Sequence, residues 1–580
     1  MNPECDNGPR VDKPIPILPT KLKNNTGKFP ALLDLILISS LILLTIGYTF
    51  TQINLSNLPH EDAAILMRYS KHLARGYGIV WNIGEKPVDG ATDFLFMVAL
   101  AGIHKTGLRL ESAVQILNLA SHVVTVVLIY LSTRKYYGDR WVSFISAAYL
   151  ALGPGLRYAE AYFGTPFFAL FASLTFYFAL ELSRNEVSPG GSIKFSFSSL
   201  FLGLTRPEGV FLAILILLSI LYKQGFRNSK RVVRDFVLIF ACFGGIFFVW
   251  RWIYFGYPFP NPYYKKGGGA LYFDSLQAST DNTVQLIYPF LILFLFTLLV
   301  SAITTISKAW TFKSNDGSSN PTQIRSLLRF SVKEYYPLIP IVGFTWIWIL
   351  LSDEMNYLGR FQYPILPLVL MSWPAFVDVN LLHRINLGKP GKLAGKLRFF
   401  PVVLYLLISL AILLHPIRTY GNRSTYGDGR YDVAKMLLQY SDRHYTIATT
   451  EAGLIPLYSE WRAIDTWGLN DQWIAHAGQI TETYLQINHP EIIMFHDYPL
   501  LSSEQRNADP WFPMVDVLKD YAEKNGYVLA AVYGANPGNV HSYYVRPDFP
   551  DSEDIITKIR ALEYIWFRNG KSSTNFAVTE

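Results

Sequence analysis

Two adjacent carboxylates, Glu61 and Asp62, stand in Leu58-Pro59-His60-Glu61-Asp62-Ala63-Ala64, directly after an apolar stretch at 31–50. A carboxylate held at a helix tip beside a membrane span can take the proton of an acceptor hydroxyl, because the helix fixes it in place. The same pattern is ordinary helix capping: an acid in the first turn accepts backbone N–H groups and answers the helix dipole. On a helix the two side chains point in different directions. Asp62 is therefore the candidate general base, and Glu61 is the second member of the catalytic pair in a different role.

Isolated arginines are the next candidates. Arg206 and Glu208 fall in Thr205-Arg206-Pro207-Glu208-Gly209, between two apolar runs, and Arg360 falls in Gly359-Arg360-Phe361 at the entrance of another. Charges at membrane depth face a cavity or each other. The planar fork of arginine suits a phosphate. The plainer readings are an Arg206–Glu208 ion pair and a snorkelling Arg360. In Asn261-Pro262-Tyr263-Tyr264-Lys265-Lys266, Tyr263 and Tyr264 could pack on sugar C–H surfaces and Lys265 could hold a phosphate, against the alternative of an interfacial aromatic belt. His60, His72 and His104 are scattered. No CxxC or HExxH pattern occurs, which argues against a structural zinc site or a zincin. No metal ligand and no cofactor is assigned, and the spacing leaves a divalent ion open.

The elements that would position these residues are membrane helices. The chain has 580 residues, 51% of them hydrophobic and 15% aromatic, a composition of polytopic membrane proteins with a soluble part. Apolar runs near the ~20 residues that cross a bilayer recur at about 31–51, 113–132, 141–155, 166–182, 195–206, 209–222, 236–254, 286–306, 335–352, 361–378 and 399–415, giving about eleven spans. The segment 195–222 also reads as a re-entrant pair. With the N-terminus inside, inner segments carry about 25 Lys/Arg against about 11 outside. The +7 charge is then a consequence of topology, with no nucleic-acid partner. The long polar lead and long first apolar run are unlike a cleavable signal. Cys5 and Cys242 are expected to form no disulfide.

This divides the chain into a cytoplasmic tail (1–30), a membrane domain (31–415) whose first outer loop (52–112) carries the acids, and a soluble outer domain (416–580). Within the loop, Ala63 to Tyr77 reads as an amphipathic helix stopped by Gly76 and Gly78, and Phe94–Ile103 as a helix lying in the interface. The inner loop 313–322 reads as a floppy connector. In the tail, short apolar runs at Tyr445–Thr449, Glu491–Phe495, Tyr527–Val532 and Ser542–Val545 alternate with helical segments at Val433–Tyr440, Phe512–Lys524 and Ile555–Tyr564. That alternation predicts an α/β domain large enough for its own core.

The first outer loop resembles that of polytopic GT-C glycosyltransferases. The likeness rests on Glu61-Asp62-Ala63, Arg68-Tyr69, Gly76-Tyr77-Gly78, Asn82-Ile83-Gly84-Glu85 and Asp89-Gly90-Ala91-Thr92. It is similar in particular to the terminal β-(1→2)-arabinofuranosyltransferases of the mycobacterial cell wall and their bacterial relatives. Leu204–Gly209, Gly256–Asn261 with Tyr263-Tyr264, Gly359–Phe361 and Ile464–Asp471 follow in the same order. The resemblance implies a mainly α, polytopic GT-C fold in the plasma membrane, with the soluble domain outside. It implies an enzyme that moves a sugar, arabinofuranose or another pentose, from a polyprenyl-phosphate donor to an envelope glycan or glycolipid. Asp62 would match the catalytic acid, and Arg206 and Arg360 would stand near the donor phosphate. Arg68, Asn82, Glu85, Asp89, Thr92, Glu208, Tyr263 and Tyr264 would contribute to substrate binding. Two rivals are a transporter or flippase of a lipid-linked sugar, which usually shows paired repeats, and a catalytically silent scaffold in surface or motility assembly.

Overall fold

A computed structural model describes residues 32–184, 187–315, 332–378, 380, 410–415, 428–536 and 538–562. The expected inner tail 1–30, most of the connector 313–322 and most of the last expected span, 399–415, lie outside the described residues.

The protein is mainly helical, with a small sheet near its C-terminal end. Five helices are long and apolar enough to cross a membrane: Leu32–Gln52, Leu110–Tyr137, Thr165–Arg184, Phe226–Phe255 and Phe273–Ile303. It is a multi-pass membrane protein. Among the described residues these five are the full-length spans, and the expected count of about eleven is not confirmed. Three of the expected runs are helices of 12 and twice 17 residues, Arg140–Ala151, Pro189–Thr205 and Glu208–Gln224. Two more, Leu338–Leu350 and Ile365–Val377, are also short. Turn chemistry cuts these helices. Gly138 adopts φ 76° to close Leu110–Tyr137, and the Asp139 side chain accepts from Val142 N at 2.8 Å to start the next helix. Arg206-Pro207 separates the two 17-residue helices, which pack on each other as a hairpin.

One charge inside the first span is compensated by its neighbours. Asp34 accepts from Tyr130 Oη at 2.8 Å, Arg134 Nε at 2.9 Å and Arg140 Nε at 3.1 Å, tying three helices together at one end of the bundle.

The sheet has five strands: β1 Thr446–Thr449, β2 Arg462–Asp465, β3 Ile492–Asp497, β4 Val528–Asn536 and β5 Asn539–Val545. Their order is β2-β1-β3-β5-β4, with β2, β1 and β3 parallel and β5 antiparallel to both β3 and β4. Side chains alternate across it. Ala448, Ile464, Ile493, Phe495 and Tyr544 pack under helix Trp511–Lys524, on Met514, Val515 and Leu518. Ile447, Ala463, Ile492, Met494 and Tyr543 join a core that continues into the first outer loop through Ala63, Tyr69 and Trp81. The sheet is thus cemented to the loop that carries the acids.

Candidate active site

Helix Glu61–Ala74 begins one residue after Pro59-His60, and its first turn holds both acids. His60 takes the N-cap position without a side-chain cap bond, because its ring is buried between Phe163 and Tyr357. Burial pushes this imidazole down to about 4, so it is neutral at physiological pH. The helix stops before Gly76, which adopts φ 89°.

Asp62 faces a pocket of about 140 Å³. Its Oδ2 accepts from Arg360 Nη2 at 2.6 Å, and both groups are largely buried. Burial by itself would raise the Asp62 carboxyl. The facing Arg360 guanidinium, with Lys266 behind it, overrides that effect and holds the carboxyl below its usual range. Arg360 is delivered by a tight loop braced from within. Asn356 accepts from Phe361 N at 3.0 Å and donates to Asp353 and Gln362, while Met355 (φ 62°) and Leu358 (φ 51°) are forced into the left-handed region. Strain of this kind persists only where the surroundings impose it. The guanidinium also lies 3.8 Å from the Phe163 ring centre.

Arg206 lines the same pocket. It pairs with Glu208 at 2.7 Å and Asp93 at 3.3 Å, and it lies over Phe361 at 4.9 Å. Lys266 completes the cationic wall. Its Nζ donates to the Glu354 carbonyl at 3.1 Å, and Thr92, Tyr162 and Leu469 add further lining.

Of the residues singled out in the sequence, Asp62, Arg206, Arg360 and Thr92 meet in this pocket, with Glu208 behind Arg206. The remainder do other things. Lys265 donates to the Gly478 carbonyl at 2.7 Å and lies over Trp467, outside the pocket. Consecutive residues on a helical turn diverge by about 100°, so only one of the lysine pair can face inward. Tyr264 meets Tyr257 edge-on, both rings lie against His476, and Tyr263 packs on Phe259.

Arg68, Asn82 and Glu85 are seams between the loop and the sheet. Arg68 donates to the carbonyls of Trp81 and Trp461, each at 2.9 Å, and to that of Pro456. Asn82 accepts from Ala463 N at 3.0 Å and donates back to Ala463 O at 3.1 Å, so its amide closes the open edge of β2. Glu85 pairs with Arg462 at 2.5 Å. Asp89 pairs with Arg251, yet burial still lifts its carboxyl to about 6.

Glu61 turns away from the pocket into the sheet domain. It accepts from Gly453 N at 2.6 Å and Leu454 N at 3.1 Å and pairs with Arg430 at 2.8 Å. The Ile464–Asp471 motif is a turn organised by Asp465, which accepts from the backbone of Trp467, Gly468 and Asn470. That turn carries Leu469 to the pocket and lays Asn470 against Gly90. A Cβ on Gly90 would fall on the Asn470 side-chain oxygen and 2.8 Å from Tyr69 Oη. Gly90→Ala is expected to cost about 1–3 kcal/mol and to impair whatever the pocket binds, since Gly90, Ala91 and Thr92 form its wall. Thermal unfolding of the purified protein checks the first effect and ligand titration the second.

Comparison with solved structures shows the fold. Over 87% of its length the chain superposes on apo ArnT from Cupriavidus metallidurans, covering 97% of that protein with a TM-score of 0.51 at 12% identity. It also superposes on ArnT from the same organism bound to undecaprenyl phosphate, with a TM-score of 0.50 at 11% identity, over 88% of this chain and 98% of the other. A third likeness is to the archaeal oligosaccharyltransferase AglB from Archaeoglobus fulgidus, in complex with an inhibitory peptide and a dolichol-phosphate. There the TM-score is 0.50 at 12% identity, over 90% of this chain and 75% of that one. The fold is that of the GT-C glycosyltransferases. A family model described as a domain of unknown function, DUF8728, matches residues 418–547, the sheet region. No curated protein sequence matches the chain.

Proposed function

We propose that the protein is a membrane glycosyltransferase that takes a sugar from a polyprenyl-phosphate donor on the outer face of the plasma membrane. The acceptor would be an envelope glycan or glycolipid, and a pentose such as arabinofuranose fits the loop resemblance. The reading places the N-terminus in the cytoplasm and the sheet domain outside. The observation that carries it is one pocket in which a buried, ionised carboxylate, Asp62, faces Arg360, with Arg206 and Lys266 on the same walls.

In the reaction, the bond from the anomeric carbon to the phosphate oxygen breaks and a bond to the acceptor oxygen forms. Asp62 takes the acceptor proton, and the electron pair leaves on polyprenyl phosphate, whose charge Arg206, Arg360 and Lys266 would stabilise. When Arg360 turns toward the phosphate it releases Asp62 from its ion pair and makes the carboxylate a stronger base. Asp93, the other acid lining the pocket, pairs with Arg206; with Asp62 as the single base, the reaction would invert the anomeric carbon.

Undecaprenyl phosphate binding tests the cationic wall. Lys266→Met and Arg206→Met are each expected to weaken binding by about 10–100-fold, the worth of a charge-assisted contact. Lys265→Met is expected to leave it within about twofold. Equal affinity in all four proteins would remove the phosphate site from this pocket.

A further inference from the structure

Behind the pocket, in the sheet domain, Glu451, His496 and His541 converge. One ligand atom from each lies within 4.8 Å of the other two. Glu451 Oε1 is 2.8 Å from His496 Nδ1, and Glu451 Oε2 is 3.0 Å from His541 Nε2. The two rings stack with centres 4.3 Å apart. None of the three lines the Asp62 pocket, and the transfer chemistry makes no use of them.

The placement is rigid. His496 on β3 and His541 on β5 are directly paired across an antiparallel ladder. Glu451 follows the C-terminal end of β1, where Thr450 N donates to Met494 O and Thr450 Oγ1 accepts from His496 N. Ligands in open sheets with parallel strands sit at the carboxyl ends of those strands. His496 is also oriented from behind, its Nε2 lying 2.8 Å from Asn539 Oδ1. Such partners fix the tautomer and aim the free nitrogen of metal-binding histidines.

Charge points the same way. The cluster continues through Arg430, which contacts Glu451, Asp428 and Glu61. Three buried carboxylates thus share one guanidinium, and buried negative charge needs compensation. Two imidazoles and a carboxylate form a ligand set suited to zinc.

We propose that Glu451, His496 and His541 bind one Zn²⁺ ion, which ties the C-terminal end of β1 to β3 and β5. The site is separate from the proposed donor pocket, and its test does not depend on transferase activity.

The full-length protein in detergent, stripped with a chelator and dialysed against trace Zn²⁺, is expected to retain one zinc per chain by elemental analysis and to melt at a higher temperature than the stripped form. Co²⁺ in its place should give the visible bands of a four- or five-coordinate ion. His541→Gln and Glu451→Gln should each lower the affinity at least tenfold, while His476→Gln, on the same domain but outside the cluster, should not. Stripped wild type that takes up no zinc and shows no cobalt bands would overturn the proposal, as would zinc retained equally by the Glu451 and His541 variants. The cobalt spectrum of wild type decides the matter even where a variant fails to fold.

Discussion

Asp62→Asn is expected to lower sugar transfer by about 10²–10⁴, the usual worth of a general base, with the folded protein intact. The amide keeps the size of the carboxylate and can still meet Arg360 through its carbonyl, so a merely structural role would leave activity within a few-fold. The pH profile separates the roles further. A base works only when ionised. In the wild type the Arg360 guanidinium holds Asp62 below its ordinary range, so acidification should cost activity through this group only below about pH 4, the usual carboxylate value. In Arg360→Met the burial that raises the carboxyl is unopposed. The acid limb of kcat/KM should then move upward, on top of the loss from the missing phosphate contact. An acid limb that stays in place would separate Arg360 from Asp62 functionally.

The second large effect concerns Arg430. This residue is buried against Glu61, Asp428 and Glu451, and it lies between the sheet and the helix that presents Asp62. Removing one member of a buried ionic cluster strands the others. Arg430→Met should therefore cost about 3–5 kcal/mol. Loss of the clasp should also shift Asp62, one residue from Glu61, so any transfer activity should fall even in the fraction that stays folded. The comparison with Glu460→Gln is informative. Glu460 holds Lys71 and Arg75 at 2.6 and 2.8 Å across the same seam but is more exposed, so its loss should cost about 1 kcal/mol or less. Equal melting temperatures for the Arg430 and Glu460 variants would contradict this ranking.

The contrast between these two clasps shows where sequence reading reached its limit. Apolar runs and glycine stops locate the long helices well, because a helix of that composition is specified locally. The acid-bearing helix is legible for the same reason: Pro59, the acids and Gly76 are all near neighbours. Strand Arg462–Asp465 was not legible. It is four residues long, and its edge is completed by Asn82 from a distant loop. The polar residues of that loop suggest substrate binding when read alone. Arg68, Asn82 and Glu85 instead satisfy buried backbone and an arginine of the sheet domain, a duty that only the folded chain reveals. Glu61 is a similar case, since its backbone donors lie 392 and 393 positions away. Lys265 and Lys266 could not be told apart without the direction of the turn that holds them. The zinc cluster spans Glu451 to His541 with no short ligand spacing to mark it, and strand pairing alone brings it together.

The central claim is that the Asp62 pocket transfers a sugar from a lipid phosphate. The purified full-length protein should therefore be offered polyprenyl-phosphate pentose and hexose donors with envelope glycans as acceptors, beside Asp62→Asn, and the products read by mass spectrometry. The account predicts a glycosylated acceptor and free polyprenyl phosphate in equal amounts from the wild type and at least about 100-fold less of both from the folded variant. Equal product from both proteins, or donor bound by the wild type but left intact across the whole panel, would contradict it; the latter result would favour a carrier or a silent scaffold built on the same fold.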